Sequence, residues 1–296
     1  MAHFSCTLKQ KLNAKACDNN EIKIVEIAEK GPAEKAGLKI NDIIIEVDGK
    51  NVNEMEYSDA VNLVRGKAGT EVNIAVKRGD EEISFKMKRE EITTETVTSR
   101  MLENNIAYIK ITGFKENTSH QFNIELKKCL ENNASAIIFD VRNNGGGLVS
   151  ACSDCLDPLL PEGDIAIAEF KDGSTEVICK SDKIELDLPM AVLVNEYSAS
   201  AAELFAAALR DFGKAVLVGQ NTFGKGIMQN TYNLDNGGGL KLTVAKYRTV
   251  KSECYHGLGL KPDYETALPD KYSENQSDDI PENEDTQLQK AIEILK

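Results

Sequence analysis

Three apolar runs constrain this chain most: Ala136-Ile137-Ile138-Phe139-Asp140-Val141, Met190 to Val194, and Ala215 to Val218. A strand with one wet face alternates apolar and polar residues, whereas a nearly unbroken apolar run is covered on both faces. Ala201 to Phe212, between the second and third runs, reads as a helix. Thr118 to Asn132, before the first, is amphipathic, with Phe122, Leu126, Cys129 and Leu130 on one side. Ile106 to Ile111 adds another strand. Strand–helix–strand alternation implies an α/β core, layered, with parallel pairing. The first run empties into Arg142-Asn143-Asn144-Gly145-Gly146-Gly147, a turn with little side-chain bulk.

The chain has 296 residues, enough for two domains. Its first third has a different texture. Ile22 to Ile27 alternates as a strand. Pro32 opens and Gly37 closes a short helix. Asn41 to Lys50 is a strand running into a tight turn, and Tyr57, Ala60, Val61 and Val64 have helical spacing. Glu71–Lys77 and Glu82–Lys88 alternate around a turn at Arg78-Gly79-Asp80. The result is a small α+β module ending near Arg89.

Net charge is -13, which repels a phosphate backbone, so no nucleic acid partner is expected. Much of that charge lies between Asp270 and Asp285, an acidic polar stretch that reads as a loop or disordered linker. Leu288, Ala291, Ile292 and Leu295 then give a last amphipathic helix. No apolar stretch approaches the length of a membrane span. Met1 to Cys6 lacks the basic region and apolar core of a signal peptide, which taken literally implies a cytosolic chain, or else a fragment of a longer exported one. Seven scattered cysteines do not form a disulfide framework. Cys152 and Cys155 form C-x-x-C without a second pair nearby, and buried small side chains on one helical face explain them better than zinc.

Two stretches carry chemistry. In "GQNTFGKGIMQ", residues 219–229, Gly219, Gly224 and Lys225 fit the spacing of a phosphate-binding loop. Gly226 stands where a hydroxyl must hold Mg²⁺, and a strand follows where a helix should, so the nucleotide reading fails. In "NEYSASAAELFAAALRDFGK", residues 195–214, Ser198 and Ser200 sit between a buried strand and a helix. Ser200 with Glu203 makes a helix capping box. Alternatively Ser200 is a nucleophile, with the Ala201 N–H and the helix dipole facing the charge that develops on attack. A serine needs a base. His3, His120 and His256 all read as surface residues. A lysine serves when burial among apolar groups without a carboxylate partner favours its neutral form. Lys225 lies between Phe223 and Ile227, and no acidic residue occurs between Leu217 and Leu234.

Taken together, Y-S-A-S-A-A-E and, twenty-five residues after Ser200, F-G-K-G-x-x-Q resemble the carboxyl-terminal processing (tail-specific) proteases. Asp140 to Gly147 resembles the family's D-L-R-x-N-x-G-G stretch, Ile106 to Phe114 its I-x-Y-I-x-I-x-x-F strand, and Gly259 to Asp263 its G-I-x-P-D ending. The first module resembles a PDZ domain through G-P-A-E-K-A-G-L, D-I-I-x-x-V-D-G and R-G-K-x-G-T at Arg65–Thr70. The resemblance implies a crotonase/ClpP-like layered peptidase core and a serine endopeptidase with Ser200 as nucleophile and Lys225 as general base. It implies that Gln229 orients the lysine and that the N–H groups of Gly146 and Ala201 form the oxyanion hole. No cofactor or metal is required. Tyr197 stands where a glycine is common and is expected to wall the subsite beside Ser200; Arg65 is a candidate for relaying PDZ occupancy. The expected partner is a protein or peptide with a free C-terminus, captured as an added strand. The usual carboxylate-binding loop would fall at Phe4–Leu8, without its glycine-rich pattern. Family members usually act outside the cytoplasm and often form homo-oligomers.

These readings divide the chain into a PDZ domain over 1–92, a peptidase domain over 93–268, an acidic linker over 269–284 and a terminal helix over 285–296. Two other functions remain open: a catalytically silent PDZ interaction protein, and a crotonase-like acyl-CoA enzyme in which Lys225 would be idle.

Overall fold

A computed structural model describes residues 12–16, 21–27, 31–53, 55–90, 94–182, 185–233, 238–273 and 280–296, with the backbone alone for 12–16, 233 and 273. Phe4–Leu8, Cys6, Cys17 and His3 lie outside the described residues. The chain forms two compact units, Met1–Thr94 and Glu95–Lys296.

The first unit contains β1 (Leu12–Ala16), β2 (Ile22–Ile27), α1 (Pro32–Ala36), β3 (Ile43–Val47), β4 (Lys50–Asn51), α2 (Tyr57–Val64), β5 (Glu71–Arg78) and β6 (Glu81–Lys88). Its sheet runs β1-β2-β3-β5-β6, with β4 on β3. Alternation in β5 turns Val72, Ile74 and Val76 inward against Ile24, Ile44, Val47 and Val64. Gly37 closes α1 at φ 95°, a left-handed cap that glycine adopts without a Cβ clash. Asp42 is buried, and Arg78 holds its carboxyl below the usual range by a 2.7 Å hydrogen-bonded ion pair that outweighs desolvation.

The second unit contains β7 (Val97–Met101), β8 (Ile106–Ile111), α3 (Thr118–Glu131), β9 (Ala136–Asp140), α4 (Val149–Leu156), β10 (Gly163–Phe170), β11 (Thr175–Ser181), β12 (Met190–Val194), α5 (Ala201–Asp211), β13 (Ala215–Gly219), β14 (Ile227–Asn233), β15 (Gly239–Thr249), β16 (Tyr264–Glu265), α6 (Asp270–Ser273) and α7 (Thr286–Leu295). One sheet has the order β16-β13-β12-β9-β8-β7, parallel from β16 to β8 with β7 antiparallel at its edge. Every residue of β9 and β12 is buried, which is why their sequences lack alternation. Phe122, Phe139 and Phe205, from α3, β9 and α5, pack on one another on one face. Leu288, Ala291 and Ile292 of α7 cover Ile138, Ala191 and Leu193 on the other. A second sheet, β11-β10-β15-β14, is wholly antiparallel.

Two details differ from the sequence reading. Leu130 is exposed on α3, because the core-facing stripe ends at Cys129. The acidic stretch is not simply a linker. Asp270–Ser273 is helical, and Asp285 is buried as the N-cap of α7, accepting from the Leu288 N–H. The cause is Arg142, whose guanidinium bonds Asp140, Asp285 and Gln287. Tyr108 donates to Asp140 at 2.6 Å. Burial opposes ionisation of Asp140, but the charge and hydrogen bonds of Arg142 outweigh it and hold the carboxyl below its usual range.

Arg142→Met strands two buried carboxylates and is expected to cost about 3–5 kcal/mol in urea denaturation. A depressed folded pKa gives stability that is complete above the unfolded value, about 3.9, and is lost as pH falls through the folded one. The wild type therefore keeps this contribution from neutral pH to about pH 4 and loses it below, and its advantage over Arg142→Met is largest at neutral pH, where the stranded carboxylates are charged.

Candidate active site

β12 ends at Val194, and the chain turns through Asn195–Ser200 before α5 begins. The two serines of this turn have different surroundings. Ser198 is fully buried; its hydroxyl donates to Val141 O at 2.8 Å and accepts the Asn195 N–H at 3.0 Å, so it is structural. Ser200 is only partly buried and stands at φ 58°, ψ -118°. That conformation costs an L-residue roughly 1–3 kcal/mol and persists only where the surroundings enforce it.

The enforcement comes from Glu203, one turn into α5 and fully buried. Its Oε2 accepts the Ser200 N–H at 2.9 Å and the Lys225 N–H at 2.8 Å. Its Oε1 accepts the Gly224 N–H and the Thr222 hydroxyl, both at 2.6 Å. A buried carboxylate is costly unless its lone pairs are filled, and here four donors fill them. One carboxylate oxygen thus joins the backbone of Ser200 to that of Lys225. Phe223 N–H donates to Ser198 O at 3.1 Å, a second tie between the loops. Thr222 Oγ1 also accepts the Leu260 N–H at 2.7 Å. Gly224 is packed so closely that a Cβ would lie 2.8 Å from Gly259 N.

The turn after β9 closes the opposite side. Asn144, fully buried, accepts the Ala199 N–H at its carbonyl and donates from Nδ2 to Ile111 O. A Cβ on Gly146, at φ 96°, would meet Ser200 Cβ at 2.7 Å and Ala201 N at 2.9 Å, so only glycine fits against the Ser200 turn. Ala201 N–H, the first amide of α5, has no partner among the described residues. Gly146 N–H is engaged by Asn144 Oδ1 at 2.8 Å. The expected pair of oxyanion donors therefore differs in availability: one amide is open, and the other must share its proton or leave an Asx turn.

Tyr247 Oη lies 3.2 Å from Ser200 Oγ, and Ser200 also forms a capping box with Glu203, so what meets this hydroxyl is not the Lys225 amine. Lys225 is half-buried, and no carboxylate pairs with its amine among the described residues. Gln229 is exposed on β14, opposite Thr243 beside a bulge, and makes no side-chain bond to Lys225. Tyr197 is 44% exposed at the start of the turn. Arg65 caps α2 in the first unit. His256 Nδ1 lies 3.2 Å from Gly224 O, and His120 is exposed on α3. Cys152 and Cys155 are buried on α4, with Cys152 Sγ 3.3 Å from Ala201 O. Burial pushes both thiols up.

The family Peptidase family S41 matches residues 105–266, and a PDZ domain family matches residues 23–78. This chain belongs to peptidase family S41. It is 41% identical over 254 residues to the carboxy-terminal processing protease CtpA of Bacillus subtilis, covering 85% of this chain and 54% of that protein. A probable CtpA-like serine protease of Staphylococcus aureus is 35% identical over 260 residues, covering 87% and 52%. The S41 chain thus spans about half the length of these relatives. Among solved structures, the photosystem II D1 C-terminal processing protease superposes with a TM-score of 0.55 at 28% identity, covering 87% of this chain and 72% of that one.

Sequence reasoning treated Glu203 as a helix cap and passed over Thr222, Asn144 and Tyr247. The signal for Glu203 was a lone charge inside the apolar helix A-A-E-L-F-A-A-A-L of the S41 chain. Glu203→Gln replaces two acceptor lone pairs by an amide donor. It is expected to lower unfolding stability by about 2–4 kcal/mol and to slow labelling of Ser200 by a serine-reactive sulfonyl fluoride. Wild-type values of both would show that the carboxylate does not organise the site.

Proposed function

We propose that this chain is the catalytic and PDZ portion of a serine endopeptidase that cleaves proteins or peptides near a free C-terminus, working through Ser200 and Lys225. The observation that carries this reading is the shared Glu203 oxygen, which brings the backbones of Ser200 and Lys225 together at the N-terminus of α5. Ser200 Oγ attacks the peptide carbonyl. The Lys225 amine, turned toward Ser200 on substrate binding, takes the hydroxyl proton and later returns it to the leaving amine. Gln229 orients Lys225. Ala201 N–H and Gly146 N–H receive the oxyanion, an effect worth about 2.7–4 kcal/mol per donor elsewhere. Water then resolves the acyl-enzyme.

Tyr197, exposed beside the nucleophile turn, walls the adjoining subsite. The PDZ unit takes the chain end of the substrate, and Arg65 relays its occupancy. The peptidase unit is read as a crotonase/ClpP-like layering. Division into 1–92, 93–268, 269–284 and 285–296 goes with this reading, and so does homo-oligomeric assembly. The names of the relatives support the substrate class, and every chemical step is assigned to this chain's own groups.

The test is cleavage of an unstructured protein, with products read by mass spectrometry. Ser200→Ala and Lys225→Ala are each expected to lower turnover by about 10³-fold or more. Wild-type turnover in both variants contradicts the dyad.

A further inference from the structure

We propose that Tyr247 is a positioning residue for the nucleophile: its phenol holds Ser200 Oγ and turns the hydroxyl proton toward the general base. The inference rests on the Ser200–Lys225 reading above. Tyr247 lies on β15, where alternation turns Ala245, Tyr247 and Thr249 inward, and its side chain is 1% exposed. Oη is 3.2 Å from Ser200 Oγ and 3.1 Å from Lys225 O. Its backbone N–H donates to Gly226 O at 3.1 Å. Tyr247 thus grips the loop of the base by two successive carbonyls while touching the nucleophile.

A phenol has one proton, and a carbonyl oxygen only accepts. Two arrangements are therefore available. In one, Tyr247 donates to Lys225 O and Ser200 donates to Oη, so the nucleophile's proton rests on a group that cannot remove it. In the other, Tyr247 donates to Ser200 Oγ, and the serine proton is free to pass to the Lys225 amine. The second also favours the negative charge that Oγ gains as the proton leaves. Exchange between them needs only rotation about the two C–O bonds. Substrate binding that carries the amine to Ser200 selects the second.

Tyr247 cannot itself be the base. Burial pushes its phenol up to about 12, so it stays protonated at neutral pH and remains a donor. The groups facing it are Ser200 in the turn before α5, Glu203 from α5, Cys152 from α4, and Tyr255 and Cys254 from the loop after β15. The Tyr255 ring packs edge-on, with centroids 6.1 Å apart, and its buried hydroxyl has no hydrogen-bond partner among the described residues. Tyr255→Phe is the control: it keeps the ring packing and removes a hydroxyl that faces the Tyr247 phenol without touching Ser200.

The experiment compares wild type, Tyr247→Phe, Tyr255→Phe and Ser200→Ala in cleavage of an unstructured protein and in sulfonyl fluoride labelling of Ser200. Tyr247→Phe is expected to lower kcat and the labelling rate together by about 10- to 100-fold, the scale of a misplaced reacting group, with KM within about twofold. Tyr255→Phe keeps wild-type kinetics. A third protein carries 3,5-difluorotyrosine at 247, whose phenol ionises at lower pH. It is expected to show a new alkaline fall in kcat/KM as the donor is lost, a limb that a purely packing role would not create. This protein also decides the matter if Tyr247→Phe does not fold. Wild-type kcat and labelling in Tyr247→Phe, or no alkaline limb in the fluorinated protein, overturns the Tyr247 proposal alone, provided Ser200→Ala is inactive. Cleavage that survives in Ser200→Ala overturns the peptidase reading and this inference with it.

Discussion

The site depends on one buried carboxylate. Ser200 belongs to the turn before α5, and Thr222, Gly224 and Lys225 belong to the loop after β13. Neither segment is fixed by a sheet ladder at these residues. Glu203 converts both into one body by accepting a hydrogen bond from each of four donors. The desolvation cost of the ion is offset only while all four contacts hold, which makes the arrangement close to all-or-none. Ala201 to Leu209 of α5 are buried without interruption, so the helix that carries the carboxylate cannot shift to relieve strain. That rigidity is what keeps Ser200 at its left-handed φ.

The oxyanion side is organised on the same principle. Asn144 ties the turn after β9 to Ala199, and Gly146 sits where any side chain would strike Ser200. Two residues before Asn144, Arg142 joins that turn to Asp285 and Gln287 at the head of α7. The helix that covers the parallel sheet is thereby anchored to the turn bordering Ser200. Packing and site geometry are coupled here through charge-assisted bonds rather than apolar contact alone.

Much of this was legible in the sequence, for identifiable reasons. β9, β12 and β13 announced themselves because strands covered on both faces have nowhere to place polar residues. Gly37 and Pro32 marked α1 because backbone requirements there are strict. Ser200, Lys225 and Gly146 stood out because their spacing resembles a family pattern. The contacts at Glu203 were not legible. A capping box explains a Glu three residues after a Ser, and nothing local announces donors twenty residues away. Asp285 was hidden among like charges, since composition cannot tell a solvated carboxylate from the one that meets a buried arginine. Tyr247 lay in an ordinary alternating strand, and its significance exists only once β15 is placed beside α5. Of the antiparallel second sheet only the strand after Gly226 was read, because β10 and β11 carry mixed burial and interrupted registers.

The central claim is that Glu203 makes the Ser200 turn and the Lys225 loop a single cooperative unit. Amide hydrogen exchange of Ser200, Gly224 and Lys225, followed by NMR on the wild-type chain, tests it most directly. The account predicts strong and nearly equal protection of the three, with exchange through one shared opening. Rapid exchange at Gly224 and Lys225 while Ser200 stays protected would contradict it.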